Sequence, residues 1–421
     1  MSLRLGILGA TRGLEFAFAA KKCGLDVTCA AVCDNYPPVL EKVRARLPEA
    51  GFNPAYFTDY GEMLEKGGID AVIVANNATD HAAAAIAALD RGLAVLSEVL
   101  PVQTLGQAVA LADAVDRAGG RYAYAENYCF LAANFQLARR FRAGEIGDLV
   151  AGEADFINDC SQRWHLLARG LRNHWRNHVP ATFYCTHSLA PLFYATRRRP
   201  VRVTGFEVKC QDYMRVHGAR SGSAAMEVVE LDDGSFLRSL HGNLKRPWLS
   251  RVRLFGTKGT LETADAGHYT AFVENEAATG YNDYDVKPGD FPAAPDVPPA
   301  VQRVPEAFIL WSFLGLCAGD RRAAEYAIGL PEALDMFLPG FFAHLSILDG
   351  GRPVEIPDFR DPAVRARFRD DRRCTDPSVA SGADLLPSYG RGEIVVPDEV
   401  YAHEAARLAD ALAARFHLGM N

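Results

Sequence analysis

Residues 3–34 constrain the fold of this chain more than any other stretch. Residues 3–8 (LRLGIL) form a short apolar run. The chain then passes through Gly9-Ala10-Thr11-Arg12-Gly13, a helix-compatible run over 14–23, and a second apolar run over 27–33 that closes at Asp34. Strand, glycine turn, helix, strand and acid is the order in which a chain builds a dinucleotide cradle. Glycines let the backbone approach a pyrophosphate, and the helix N-terminus offers free N–H groups and the positive end of its dipole. An acid ending the second strand hydrogen-bonds a ribose diol and repels a 2′-phosphate, so Asp34 points to NAD. In the G-x-G-x-x-G frame the second glycine is Thr11, and the third falls on Leu14, or on Gly13 with one residue deleted. Gly9, Thr11, Arg12 and Asp34 are the first candidate cofactor contacts.

The alternation continues. Asp59-x-x-Glu62 reads as a capping box opening a short helix. Residues 69–75 (IDAVIVA) read as a buried strand, 79–91 as an Ala-rich helix, 93–96 as a strand, 104–118 as a helix and 121–125 as a strand. Strands alternating with helices predict a doubly wound parallel sheet over residues 1–125. Beyond residue 126 the pattern changes. A helix over 131–143 and a strand over 149–157 precede a helical stretch over 182–196. Several strands follow over 201–273, joined at Asp232-Asp233-Gly234 and Gly256-Thr257-Lys258-Gly259, which predicts a large open antiparallel sheet. Residues 276–303 read as a long loop, 305–317 and 325–348 as helices. A polar tail after 356 carries one helix near 402–416. The expected fold is α/β: a Rossmann-type domain (1–125), an α+β substrate and oligomerisation domain (126–355) and a C-terminal extension (356–421).

Composition sets bounds. A net charge of −7 argues against a general nucleic-acid binder. No uncharged apolar run reaches the roughly 18 residues of a membrane span. The N-terminus enters a strand without a basic and apolar leader, and the nine cysteines are scattered with no C-x-x-C pair, so reduced thiols in the cytoplasm are expected.

Polar residues gather at the ends of the first-domain strands, where a doubly wound sheet faces its cofactor: Asn76, Asn77, His81, Glu98, Glu126 and Asn127. Tyr184 and His187, three apart on a helix, would share a face, and such a pair suits proton transfer at a sugar hydroxyl. The alternative is a histidine buried and satisfied by a hydrogen bond. Trp164, His165, Trp175 and Arg176 lie in a basic, aromatic segment that suits a sugar or an acidic substrate, or else forms an ordinary solvated surface. The histidine spacings match no metal-ligand pattern, and no metal is expected.

These motifs resemble the Gfo/Idh/MocA oxidoreductase family over roughly residues 3–355: GILGATRG at the start, Asn-Asn-x-x-x-His at 76–81, Glu98, FGTKGT at 255–260 and the domain order. Most members carry Glu-Lys-Pro where this chain has Glu98-Val99-Leu100. One branch lacks that lysine in a similar way, glycoside hydrolase family 109, the NAD-dependent α-N-acetylgalactosaminidases. The chain is similar to it at ENYCF (126–130), at Tyr184-Cys185-Thr186-His187-Ser188-Leu189-Ala190-Pro191 and at PDF (357–359), while a tyrosine of that branch falls on Phe156. The resemblance implies a glycosidase that uses NAD catalytically. A sugar C3 is oxidised transiently, the C1 substituent is eliminated, water adds and C3 is re-reduced. His187, helped by Tyr184, would move the hydroxyl proton. Glu126 would orient the nicotinamide ribose or substrate hydroxyls, or serve as a supporting hydrogen bond. A net NAD-dependent sugar or cyclitol dehydrogenase is the alternative. A homo-oligomer, dimer or tetramer, is expected through the open sheet.

Overall fold

The structure is a computed structural model that describes residues 2–263, 268–275 and 280–413. The chain begins with β1 (Leu3–Leu8), α1 (Ala10–Cys23), β2 (Val27–Cys33), α2 (Pro37–Arg46), β3 (Ala55–Phe57), α3 (Tyr60–Lys66) and β4 (Ala71–Val74). It continues with α4 (His81–Leu89), β5 (Ala94–Ser97), α5 (Leu105–Arg117) and β6 (Tyr122–Tyr124). The six strands form one parallel sheet in the order β3-β2-β1-β4-β5-β6. All four residues of β4 and of β5 are buried, as expected of strands covered on both faces. Strand order reverses between β1 and β4, so a crevice opens at their carboxyl ends. Half of the expected capping box is present: the Asp59 side chain accepts the Glu62 N–H at 2.7 Å, while the Glu62 carboxylate turns to Lys66 instead of back to Asp59. Neither α2 nor β3 is foreshadowed by periodicity; both are short and only partly apolar.

The glycine turn is tight for two separate reasons. Gly9 has φ +92°, and a Cβ there would lie 2.3 Å from the Ala75 carbonyl oxygen. A Cβ on Gly13 would lie 2.5 Å from Ile7 Cγ2, so Gly13 lets α1 pack onto β1. Gly13 therefore does the packing work of the third fingerprint glycine, one residue early, while Leu14 is an ordinary core residue. Gly9→Ala combines a backbone clash with a left-handed φ, and we expect it to cost about 2–4 kcal/mol. Its thermal midpoint should fall, and NAD⁺ should no longer raise it. An unchanged NAD⁺ response would contradict the close approach.

The second half comprises α6 (Ala132–Arg142), β7 (Leu149–Ile157), α7 (Trp164–Ala168), α8 (Trp175–His178), α9 (Thr186–Thr196), β8 (Pro200–Glu207) and α10 (Asp212–Arg215). Then come β9 (Ala224–Leu231), β10 (Phe236–Gly242), β11 (Leu249–Gly256), β12 (Gly259–Thr263), β13 (Tyr269–Glu274) and β14 (Tyr281–Val286). The last elements are α11 (Pro305–Ala318), α12 (Arg321–Ala324), α13 (Leu330–Leu348), β15 (Val354–Glu355), α14 (Pro362–Arg365) and α15 (Asp398–Ala413). Nine strands make the second sheet, in the order β14-β13-β12-β11-β7-β10-β9-β8-β15. Its pairings are antiparallel except for β7 with β10, which run parallel. Helices α9 and α13 cover one face of the sheet.

Two expectations change. The long loop over 276–303 is interrupted by β14, an exposed edge strand (YNDYDV) paired in register with β13; residues 276–279 lie outside the described residues. Polar composition hid it, because an edge strand exposed to water needs no apolar alternation. The helix expected over 182–196 is a 3-10 turn, Ala181–Cys185, followed by α9.

The tail folds back over both sheets. The Gly106 N–H donates to the Asp371 carbonyl at 2.9 Å, and Arg365 joins Asp113 and Asp116 of α5. α15 packs on α7, and a Cβ on Gly170 would meet the Ala405 backbone N at 2.3 Å. Glu404 of α15, buried, pairs with His217 at 3.1 Å and Arg407 at 2.9 Å, while Arg407 donates to the Gln162 carbonyl. His344 of α13 is buried against the Pro387 carbonyl of the tail, 2.7 Å from its Nε2. Burial lowers its pKa to about 4. A histidine depressed from 6.5 contributes stability that is complete above 6.5 and is lost as pH falls through about 4, at most about 3 kcal/mol. His344→Gln should therefore flatten the fall in the urea midpoint between pH 6.5 and 4.5. An unchanged slope would refute this.

Candidate active site

The crevice at the carboxyl ends of β1, β2 and β4 is a cavity of about 580 Å³, lined among others by Gly9, Thr11, Asp34, Asn76 and Asn77. The Asp34 carboxylate takes the Ala10 N–H at 2.9 Å and the Tyr36 N–H at 2.9 Å, one on each oxygen. Each oxygen keeps lone pairs for a diol. Thr11 is exposed on the first turn of α1, beside free helix N–H groups. Asn76 borders this cavity and the next, and its buried Oδ1 has no hydrogen-bond partner. A glycine turn that no Cβ can enter, a diol-binding acid and an unsatisfied amide where the cavities meet fit a dinucleotide lying along the crevice.

The adjoining cavity, about 400 Å³, lies between the two sheets and is lined by Glu98, Val99, Asn127, Tyr128, Tyr184, His187 and others. His187 opens α9. Its Nδ1 is 3.0 Å from both oxygens of Glu126, which ends the loop after β6 and is fully buried. A carboxylate only accepts, so Nδ1 carries the hydrogen and Nε2 is the basic nitrogen left toward the cavity. Glu126 is fixed further by the Tyr128 N–H at 3.1 Å and the Thr186 hydroxyl at 2.9 Å. Aromatic rings enclose the imidazole: Tyr128 at 4.5 Å, Phe156 edge-on at 4.8 Å and Tyr184 at 5.5 Å between centroids. Arg176 donates to the Tyr184 hydroxyl at 2.5 Å. Burial pushes the Tyr184 phenol above its ordinary pKa, a rise that Arg176 opposes, so the phenol stays protonated at neutral pH. Beneath the turn, His241 Nε2 donates to the Ala181 carbonyl at 2.8 Å. Its Nδ1 lies 2.9 Å from the Ser239 hydroxyl and 3.2 Å from Glu227, a carboxyl whose pKa burial raises strongly.

The structure relocates several predicted residues. Glu126 lines neither cavity; its carboxylate faces the His187 imidazole, the supporting hydrogen bond that was its alternative reading. Arg12 borders both cavities, but its guanidinium is taken by Glu98 at 2.7 Å, Glu306 at 3.0 Å and Glu15. Asn127 donates to Glu306 at 3.3 Å. His81 is buried on the cavity wall with its nitrogens on the Leu100 carbonyl (2.9 Å) and the Asn76 carbonyl (3.2 Å), tying those two loops together, and burial lowers its pKa. Trp164 is buried and donates to Asn177 at 2.9 Å, with part of its ring on the cavity wall. Trp175 and Arg176 border both cavities. His165 lines neither; its pKa is lowered chiefly by burial and by Arg407, on the side of α15. Polar wall residues that escaped the sequence reading include Tyr128, although it lay inside the ENYCF segment, and Asn158, Asn243 and Ser223, which carry no motif.

Residues 3–126 match the profile of an oxidoreductase family with an NAD-binding Rossmann fold, Gfo/Idh/MocA. That stretch of the chain is thus similar to the NAD-binding domain of this family. Curated relatives named glycosyl hydrolase family 109 protein, from Shewanella sp. (strain ANA-3) and Shewanella baltica (strain OS155), are 26% and 25% identical over 202 residues. Those matches cover 45% of this chain and 43% of the relatives, so the chain spans less than half the length of the curated relatives it matches. An oxidoreductase from Agrobacterium radiobacter, solved with NAD⁺, L-tartaric acid and magnesium, superposes with TM-score 0.65 at 15% identity over 84% of this chain and 98% of that one. The WlbA dehydrogenase from Bordetella pertussis, solved with NADH and UDP-GlcNAcA, gives 0.66 at 17% identity over 85% and 98%. These likenesses show that the chain shares the fold of the two solved structures. Among the described residues no helix is long and apolar enough to cross a membrane.

Proposed function

We propose that this chain is an enzyme of the Gfo/Idh/MocA type, a glycosidase that cleaves by transient oxidation of the sugar ring and regenerates its cofactor. The observation that carries the reading is the Glu126–His187 pair facing a cavity beside Tyr184, with Val99 on the wall where most family members place a lysine. The curated relatives named as family 109 glycosyl hydrolases support it. Gly9, Thr11, Asp34, Asn76 and Asn77 would hold NAD, which when bound supplies reversible hydride exchange with a sugar carbon. His187 Nε2 takes the hydroxyl proton at C3 as that carbon becomes a ketone and later returns it. The buried Glu126 carboxylate stabilises the imidazolium meanwhile. The ketone acidifies the C2 hydrogen. A base takes that proton as the C1–aglycone bond breaks and a C1=C2 double bond forms, and water then adds across it, hydroxyl to C1 and proton to C2. Tyr184, kept protonated, donates to the sugar and relays protons, with Arg176 steadying its oxygen.

The test is a nitrophenyl glycoside panel with added NAD⁺. Nitrophenol should appear while the NADH absorbance stays flat. NADH rising in step with product would overturn the reading in favour of net sugar dehydrogenation. We further propose a homo-oligomer through the outer face of the second sheet, where Phe206, Val228 and Phe236 are exposed on one side. Light scattering should give a multiple of the chain mass, and Phe236→Glu should lower it.

A further inference from the structure

We infer that the substrate carries an anionic substituent, a carboxylate or a sulfonate, received by Arg163 and Arg176; this rests on the glycosidase reading above. Both arginines border the cavity that His187 faces. Among the described residues neither has a carboxylate partner. Arg163 meets only the Cys160 sulfur, at 3.4 Å, and Arg176 only the Tyr184 hydroxyl. The acid on that wall, Glu98, is already matched by Arg12. Composition does not explain this, because the chain is acidic overall, with a net charge of −7. Elsewhere its arginines find acids readily: Arg4 with Asp70, Arg251 with Asp155, Arg360 with Asp335.

Arg176 is also pre-set for its task. Its guanidinium lies 4.5 Å from the Trp175 ring centroid, which fixes the plane of the fork before any ligand arrives. Arg163 sits exposed at the end of the 3-10 turn Ser161–Arg163, where it can meet an incoming anion at the mouth. Ring hydroxyls are served by other groups, among them Asn158, Asn243 and Ser223. Two guanidiniums on a wall whose one acid is already paired leave charge uncompensated until an anion binds, and a planar fork favours carboxylate or sulfonate oxygens.

The experiment titrates the NAD⁺-loaded full chain calorimetrically with glucuronate, 6-sulfonated glucose and glucose. At least one anionic sugar should bind about tenfold or more tighter than glucose, and the one preferred identifies the group. That advantage should shrink in 0.5 M salt and in Arg163→Gln, where anion affinity falls toward that of glucose. Equal affinity for all three sugars, or an anion advantage untouched in both Arg163→Gln and Arg176→Gln, would overturn the inference. The matching nitrophenyl glycosides are assayed in parallel. Anion preference with no cleavage of any glycoside would sustain this inference and sink the glycosidase reading, so the two fail separately.

Discussion

His187→Ala is expected to lower turnover by about 10²–10⁴-fold, the range a positioned general base contributes. Among the described residues, His187 is the one histidine lining this cavity that is hydrogen-bonded to a buried carboxylate. Its removal leaves Glu126 facing a void but does not touch the glycine turn or Asp34. NAD⁺ binding, read by protein fluorescence or thermal shift, should therefore persist while product release stops. His187→Ala retaining more than about a tenth of wild-type turnover would show that another group moves the proton.

Glu126→Gln is expected to cost nearly as much, about 10²–10⁴-fold in kcat, with little change in KM. The carboxylate accepts three hydrogen bonds, from Tyr128 N–H, the Thr186 hydroxyl and His187 Nδ1. An amide of the same size offers one accepting oxygen and adds two donors. Nδ1 then meets a donor and must accept, which moves the hydrogen to Nε2 and leaves no base toward the substrate. The variant should fold, since volume is kept, and its circular dichroism should match wild type. A fall in KM-linked binding with kcat intact would place Glu126 on substrate instead. Glu126→Asp is the informative partner: it keeps the charge but shortens the reach, and should recover part of kcat if orientation and charge both matter.

The sequence foretold the first sheet almost strand by strand because its central strands are buried on both sides and read as unbroken apolar runs. Asp34 and Gly9 were visible because their constraint is local: a turn and a strand end. Gly13 was ambiguous, since only the distance to Ile7 shows which glycine lets the helix settle on the strand. Tyr184 and His187 were paired correctly in space for a reason that proved different. They stand on either side of a junction between a 3-10 turn and α9, not on one helical face. The role of Glu126 was hidden because direction matters: a strand-end acid faces either the cofactor or the neighbouring helix, and only packing decides. Arg12 read as a candidate cofactor contact, and its pairing with Glu306, 294 residues away along the chain, had no local signal. β14 and the back-folded tail were illegible for a common reason, as both are polar segments held by backbone pairing and ion pairs that leave no periodic apolar signature.

The anchoring of α15 bears on where this chain can be shortened. Gly170 sits against Ala405, Arg172 against Asp398, and Arg407 on the Gln162 carbonyl, so three fasteners from the last helix grip the segment that carries Arg163, Trp175 and Arg176. Cutting before residue 398 would leave both sheets able to form but would release the segment that roofs both cavities. Such a fragment would behave as a competent scaffold without a ceiling. The last helix is thus a bracket for chemistry that happens far from it in sequence.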